Sequence, residues 1–171
     1  MFELIAPTTR LHAAWLEAHE EWGPGQHEDG FGLGPSDDVD SPDGFADWVA
    51  MLAAQSGPEA RETGRGCTYR WIVERDLVHG GIAFRHGPND FVLQYGHIGY
   101  GIRPSSRRRG LATWALTRML DEARALGLDQ VLLVCEAANI ASARTIEHSG
   151  GTFDALGDTE HGAVRRYSIK L

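Results

Sequence analysis

The residues best suited to chemistry in this chain lie between Gly99 and Thr113. They read Gly99-Tyr100-Gly101-Ile102-Arg103-Pro104, then Ser105-Ser106-Arg107-Arg108-Arg109-Gly110-Leu111-Ala112-Thr113. A strand ending at Pro104 passes through a short basic turn into a helix. The first amides of a helix have no partners within it and carry the positive end of its dipole, so such a turn suits a phosphate. Gly110 lets backbone approach a bulky pyrophosphate, Ala112 keeps space beside it, and Arg107, Arg108 and Arg109 add charged donors. The phosphate-loop pattern G-x-x-x-x-G-K-[ST] is absent, and Gly99-Tyr100-Gly101 precedes the wrong turn for the dinucleotide pattern G-x-G-x-x-G. Three arginines on an exposed turn also read as plain solvated charge, and this segment alone leaves both readings open.

A second segment tips the balance. Arg107-Arg108-Arg109-Gly110-Leu111-Ala112 resembles the R/Q-x-x-G-x-G/A signature of the GNAT superfamily of N-acetyltransferases. Asn139-Ile140-Ala141-Ser142, followed by Glu147-His148-Ser149-Gly150-Gly151, resembles that superfamily's N-x-x-S…E-x-x-G element. The two stand at the family's usual separation, joined by a helix and an apolar strand. The likeness covers residues 67–171 well and the N-terminal helices only by element order. It is strongest to bacterial members with a G-H-I-G-Y-x-I-R-P strand, present here from Gly96 to Pro104.

The resemblance implies an α/β (α+β) acyl-CoA N-acyltransferase fold. Its central mixed, mostly antiparallel sheet would splay at its middle, with helices on both faces, in a single domain over residues 1–171. It implies acetyl-CoA as cosubstrate and direct transfer of the acetyl group to a primary amine of a small molecule or peptide. Backbone groups of Ile102 and Arg103 would pair with the pantetheine arm. Amides of Arg108, Arg109, Gly110, Leu111, Ala112 and Thr113 would cradle the pyrophosphate, with Arg107 or Arg108 near the remaining phosphate. Asn139 and Ser142 would touch the far side of the pantetheine; as bare residues they also read as a helix N-cap with a neighbouring hydroxyl.

Direct transfer requires an amine to lose its proton, an oxyanion to be held and a thiolate to be protonated. An amine with a pKa of about 10 is mostly charged at neutral pH, so a base is useful. The resemblance implies a Glu on the strand before the phosphate turn, yet residues 91–103 hold no Asp or Glu. His97 is the candidate there, sharing a strand face with Gly99 and Gly101, and Glu136 is the reserve, acting through a water. The family's general-acid Tyr, seven residues after the Asn, falls on Ile146. His148 lies about 200° further round the helix and cannot stand in. Tyr100 is a candidate donor, against a core reading, and water is another proton source. The missing Glu and Tyr keep a second hypothesis open, a non-catalytic acyl-CoA-binding regulatory module of the same fold.

For the acceptor, the long stretch 23–41 and the helices around it form one expected wall. Trp22, His27, Glu28 and Asp29 are candidate lining residues, as are Arg85 and His86, each also readable as structural or solvated. His12 and His19 share a helix face without a third ligand, so no metal is expected. Cys67 and Cys135 read as buried thiols.

These residues need positioning elements, and the pattern supplies them. A strand is expected at 2–6, then a helix from Thr8 or Thr9 whose stripe is Leu11, Trp15, Ala18 and Trp22. Ser41-Pro42 opens a second helix with Phe45, Trp48, Val49, Leu52 and Ala53 inward. Residues 56–66 read as a polar connection, 67–75 and 77–85 as strands, 87–90 as a turn and 91–103 as another strand. A helix follows from about 109 to 126, with Leu111, Ala115, Met119, Ala123 and Leu126 buried and Gly127 just past its end. The remainder reads as a strand at 131–135, a helix at 140–149 and strands near 152–156 and 163–170.

Among 171 residues, 16 basic and 24 acidic side chains give a formal charge of −8. That opposes broad nucleic-acid binding and mildly favours a cationic substrate, although acidic surfaces also serve solubility alone. No apolar run approaches the roughly 20 residues that span a bilayer, and the N-terminus lacks a signal-peptide pattern, so no membrane partner and a cytoplasmic location are expected. The oligomeric state is open, a homodimer included.

Overall fold

The computed structural model describes residues 1–23 and 29–171. In chain order the elements are β1 (Glu3–Ile5), α1 (His12–Trp22), α2 (Pro42–Gln55), α3 (Pro58–Glu62), β2 (Cys67–Glu74), β3 (Leu77–Arg85), α4 (Asp90–Tyr95), β4 (Ile98–Ile102), α5 (Leu111–Ala125), β5 (Gln130–Glu136), α6 (Ile140–His148), β6 (Thr152–Thr159) and β7 (Gly162–Lys170). Two antiparallel sheets result, ordered β1-β2-β3-β4 and β5-β7-β6. They join at one bridge, Gly96 to Leu133, where the His97 amide also donates to the Leu132 carbonyl at 2.7 Å. Among the described residues no ladder continues beyond that corner, so β4 and β5 part: one splayed sheet, as expected.

Period-two alternation in β2 and β3 divides the core between the two faces. Cys67, Tyr69, Trp71 and Val73 point to one side, where they meet Trp15, Phe45, Trp48 and Leu52 of α1 and α2. Ile72, Ile82, Phe84 and Ile98 point to the other, under Leu111, Ala115, Leu116 and Met119 of α5. Local chemistry sets the helix starts. The Ser41 hydroxyl accepts the Gly44 amide at 3.1 Å ahead of Pro42, and the Asn139 side chain accepts the Ser142 amide at 3.1 Å.

Three expectations need correction. Residues 91–103 are not one strand: the Asn89 side chain accepts the Val92 amide at 2.9 Å and starts α4, and Gly96, with φ 83°, ends it. The cluster Gly87-Pro88-Asn89-Asp90 is therefore a helix cap, which explains why Phe91 and Leu93 are exposed while Val92 is buried. The connection 56–66 contains α3, with Pro58 in its first turn. α5 begins at Leu111, because Gly110 and Arg108 adopt left-handed backbone before it, and Leu126 caps its end with 40% of its surface exposed.

Candidate active site

The turn between β4 and α5 is built to leave backbone donors idle. Pro104–Ser106 form one 3-10 turn, then Arg108 (φ 60°) and Gly110 (φ 76°) twist the chain left-handed on either side of Arg109. A non-glycine residue held there is strained, a cost that persists where the surroundings demand it. The first bond of α5 runs from the Trp114 amide to the Gly110 carbonyl at 2.9 Å. Among the described residues, the six amides from Arg108 to Thr113 have no protein acceptor. They border a cavity of about 430 Å³ whose lining includes Tyr100, Ile102, Arg107, Arg108, Gly110, Ala112, Thr113, Asn139 and Ser142. Unpaired amides converging at a helix N-terminus, with two arginines alongside, form a concavity suited to a diphosphate.

The turn is anchored from beneath by residues that the sequence reading had not grouped with it. Glu21 accepts both the Ser105 amide and, at 2.9 Å, the Ser105 hydroxyl. The buried Ser106 hydroxyl bonds His79 Nδ1 at 2.8 Å. The Arg103 guanidinium, 6% exposed, holds Glu21 at 2.6 Å and Glu17 at 2.9 Å. Arg103 is thus a strut between α1 and the phosphate turn. Its amide donates to the His79 carbonyl at 2.8 Å, so neither end is available to a pantetheine arm, which corrects that expectation.

The same bond fixes which backbone groups β4 offers. Arg85 donates to the His97 carbonyl and Arg103 to the His79 carbonyl, and the register pairs Gly81 with Gly101 and Ala83 with Gly99. Odd-numbered residues of β4 therefore face β3, while Ile98, Tyr100 and Ile102 present their amides and carbonyls to the open side. Ile102 lies on that open side, where its carbonyl takes Arg107 Nε at 3.0 Å. The Arg109 guanidinium lies over the Phe2 ring at 5.3 Å, and Arg109 does not line the cavity.

Across the gap, Ser142 Oγ meets the Tyr100 hydroxyl at 2.9 Å, and Asn139 spends its side-chain oxygen on the cap of α6. Burial pushes the Tyr100 phenol up to about 12, so it stays protonated at any working pH. Its hydroxyl is committed to Ser142, which makes it a wall of the channel rather than a ready acid.

The opposite face of the sheet carries a second cavity of about 660 Å³, against β2 and β3. Its lining includes Asp29, Gln55, Arg65, Cys67, Tyr69, Ala83, Arg85, Asp90 and Phe91. This face of β4 is closely covered at both glycines: a methyl on Gly101 would stand 2.7 Å from the Asp29 carbonyl, and one on Gly99 would stand 3.3 Å from Arg85 Nη2. The two cavities thus lie on opposite faces of one sheet, the first beside Tyr100 and Ile102 of β4 and the second beside Tyr69 and Ala83 of β2 and β3.

Other candidates fall out of the site. His97 Nδ1 accepts the Leu132 amide at 2.9 Å, and burial pulls its pKa below the ordinary histidine range. The neutral ring then carries its proton on Nε2 and has no lone pair left for an amine. His97 pins the corner of the splayed sheet. Glu136 is exposed at the end of β5 and lines neither cavity. Trp22 packs edge-on against Phe31 in the core, though its ring lies 3.3 Å from where a Gly101 methyl would sit. His86 Nε2 meets Thr68 Oγ1 at 2.6 Å, and burial with Arg61 nearby drops its pKa to about 4, so it is neutral and structural. Arg85 does line the second cavity; His27 and Glu28 lie outside the described residues.

Comparison with known proteins agrees with this fold. The model of the acetyltransferase (GNAT) domain matches residues 31–152. RimL, a ribosomal L7/L12 alpha-N-protein acetyltransferase solved with coenzyme A, superposes with a TM-score of 0.74 at 15% identity, over 99% of this chain and 94% of that one. The microcin C7 self-immunity acetyltransferase MccE, solved with acetyl-CoA and AMP, gives 0.70 at 13% identity over 99% and 92%. The putative acetyltransferase yncA from Salmonella typhimurium, solved with acetyl-CoA, gives 0.66 at 20% identity over 99% and 94%. At these identities the likeness is one of fold, and no protein of curated function matches the chain. The domain match covers more than half of the sequence, and this chain belongs to the GNAT acetyltransferase family.

Proposed function

We propose that this protein transfers an acetyl group from acetyl-CoA to a primary amine of a small molecule or peptide by direct attack, without an acyl-enzyme. The observation that carries the reading is the placement of two cavities on opposite faces of the sheet, one bordered by unpaired amides and arginines, the other by acids, arginines and aromatics. Acetyl-CoA supplies the thioester. The amides of residues 108–113 hold its diphosphate, Arg107 and Arg108 add charge, and the open edge of Tyr100 and Ile102 aligns the pantetheine like an added strand. Asn139 and Ser142 flank that arm.

The amine approaches from the second cavity, on the side where Arg85 stands beside Gly99. The ammonium first gives one proton to water; the free amine's nitrogen then bonds the thioester carbonyl carbon as the carbon–sulfur bond breaks, a second proton passes from nitrogen to water, and the departing thiolate regains one from water. Free amides on β4 face the developing oxyanion. The carboxylates of Asp29 and Asp90 favour an ammonium in the second cavity. The residues fit the cosubstrate because a diphosphate satisfies donors otherwise left without partners. Release of free thiol from acetyl-CoA across an amine panel tests the reading; coenzyme A binding with no release for any amine or peptide N-terminus would favour the regulatory module instead.

A further inference from the structure

Arg85 is the residue of the second cavity whose chemistry is least spent. Its guanidinium lies 5.0 Å over the Phe91 ring, and Nη1 donates to the Gly96 carbonyl at 3.1 Å. A guanidinium carries five N–H donors, and among the described residues this one has no other protein acceptor and no carboxylate within 4.0 Å. Arg70 and Arg103, by contrast, are each gripped by glutamates. A half-buried cation that is stacked, pinned and lacks a counter-ion is prepared for an anion from outside.

Its surroundings narrow the ligand. Arg85 stands beside Gly99 and the Asp29 backbone rests on Gly101, two positions along one strand and so about 7 Å apart. Around the cavity the charged groups are Arg65 and Arg85 against Asp29 and Asp90, with Tyr69, Gln55 and Phe91 between them. Cations beside the Asp90 carboxylate complement a zwitterion rather than a simple amine, although the molecule as a whole has a net charge of −8. A volume of about 660 Å³ falls within the range of small-molecule sites.

We propose that the acceptor is a small amine carrying an oxyanion on the same molecule, a carboxylate or a phosphonate, and that Arg85 is the specificity-determining residue that takes this anion. The proposal rests on the acetyltransferase reading for the fate of the amine, but not for the anion site.

The test uses a homologous series of α,ω-amino acids, the matching ω-amino carboxamides and the matching aminoalkylphosphonates. Each is titrated into the full-length protein saturated with coenzyme A, and each is assayed separately for thiol release from acetyl-CoA. At least one carboxylate or phosphonate is expected to bind at least tenfold more tightly than its carboxamide, and comparing those two arms names the preferred oxyanion. Arg85→Gln should erase that preference and Arg85→Lys should retain part of it, with unaltered coenzyme A affinity reporting that both variants fold. A gap below tenfold throughout, a gap that survives in Arg85→Gln, or neutral tripeptide amides acetylated faster than every anionic amine would overturn the proposal. Anion preference without thiol release from any of these amines would sustain the anion site and refute the transferase.

Discussion

Side chains around the phosphate turn have separable duties, and single substitutions tell them apart. Gly110 holds φ 76° with open space where a side chain would be. Gly110→Glu should weaken coenzyme A binding at least tenfold by calorimetry, because it adds left-handed strain and sets a carboxylate against phosphates. Histidines give the opposite kind of prediction. His97→Ala should cost about 1–3 kcal/mol of stability, the penalty for an orphaned Leu132 amide. The acidic limb of its pH–rate profile should remain, whereas losing that limb would restore His97 as the base. His86 has a folded pKa of about 4 against an ordinary 6.5, so the unfolded chain binds its proton first as pH falls. Its contribution is fully present above pH 6.5 and is lost as pH drops toward 4. His86→Gln should flatten the melting temperature across that window, and an unchanged slope would mean the ring is not held neutral.

Among the elements, the phosphate turn and its helix were legible because their signal is local: Pro104, Gly110 and the stripe Leu111, Ala115, Met119 and Ala123 each act within a few residues. α4 was missed for a matching reason. Phe91-Val92-Leu93 reads as strand by composition, and only the bond from Val92 back to Asn89 overrides it. Asn89→Ala should therefore cost about 1 kcal/mol in denaturant unfolding. It should also weaken acceptor binding, since Asn89, Asp90 and Phe91 border the second cavity. Stability loss without any change in KM for the amine would detach α4 from the acceptor site. The strut from Arg103 to Glu17 and Glu21 was invisible in sequence because it bridges more than 80 positions. Nothing near Arg103 in the chain distinguishes a cofactor ligand from a brace; the register of β3 with β4 does.

For the whole molecule, the splay between β4 and β5 organises function. A continuous sheet would bury the amides of Tyr100 and Ile102 in a ladder; parting the strands leaves them idle beside the idle amides of α5. The glycines of β4, Gly99 and Gly101, let Arg85 and the Asp29 backbone rest directly on the opposite face. The family resemblance carried the cosubstrate side of this arrangement, since its motifs lie on that side. The second cavity has no comparable pattern: the sequence offered Asp29 and Arg85 for it alongside Trp22 and His86, and only the fold separates the lining pair from the packed one.

Hydrogen–deuterium exchange of the full-length protein, with and without saturating coenzyme A, tests the central claim most directly. Slowed exchange is expected in the peptides covering Tyr100–Ile102 and Arg108–Thr113, and little change in those covering β6 and β7. Unaltered exchange at Arg108–Thr113 with coenzyme A at millimolar concentration would contradict it.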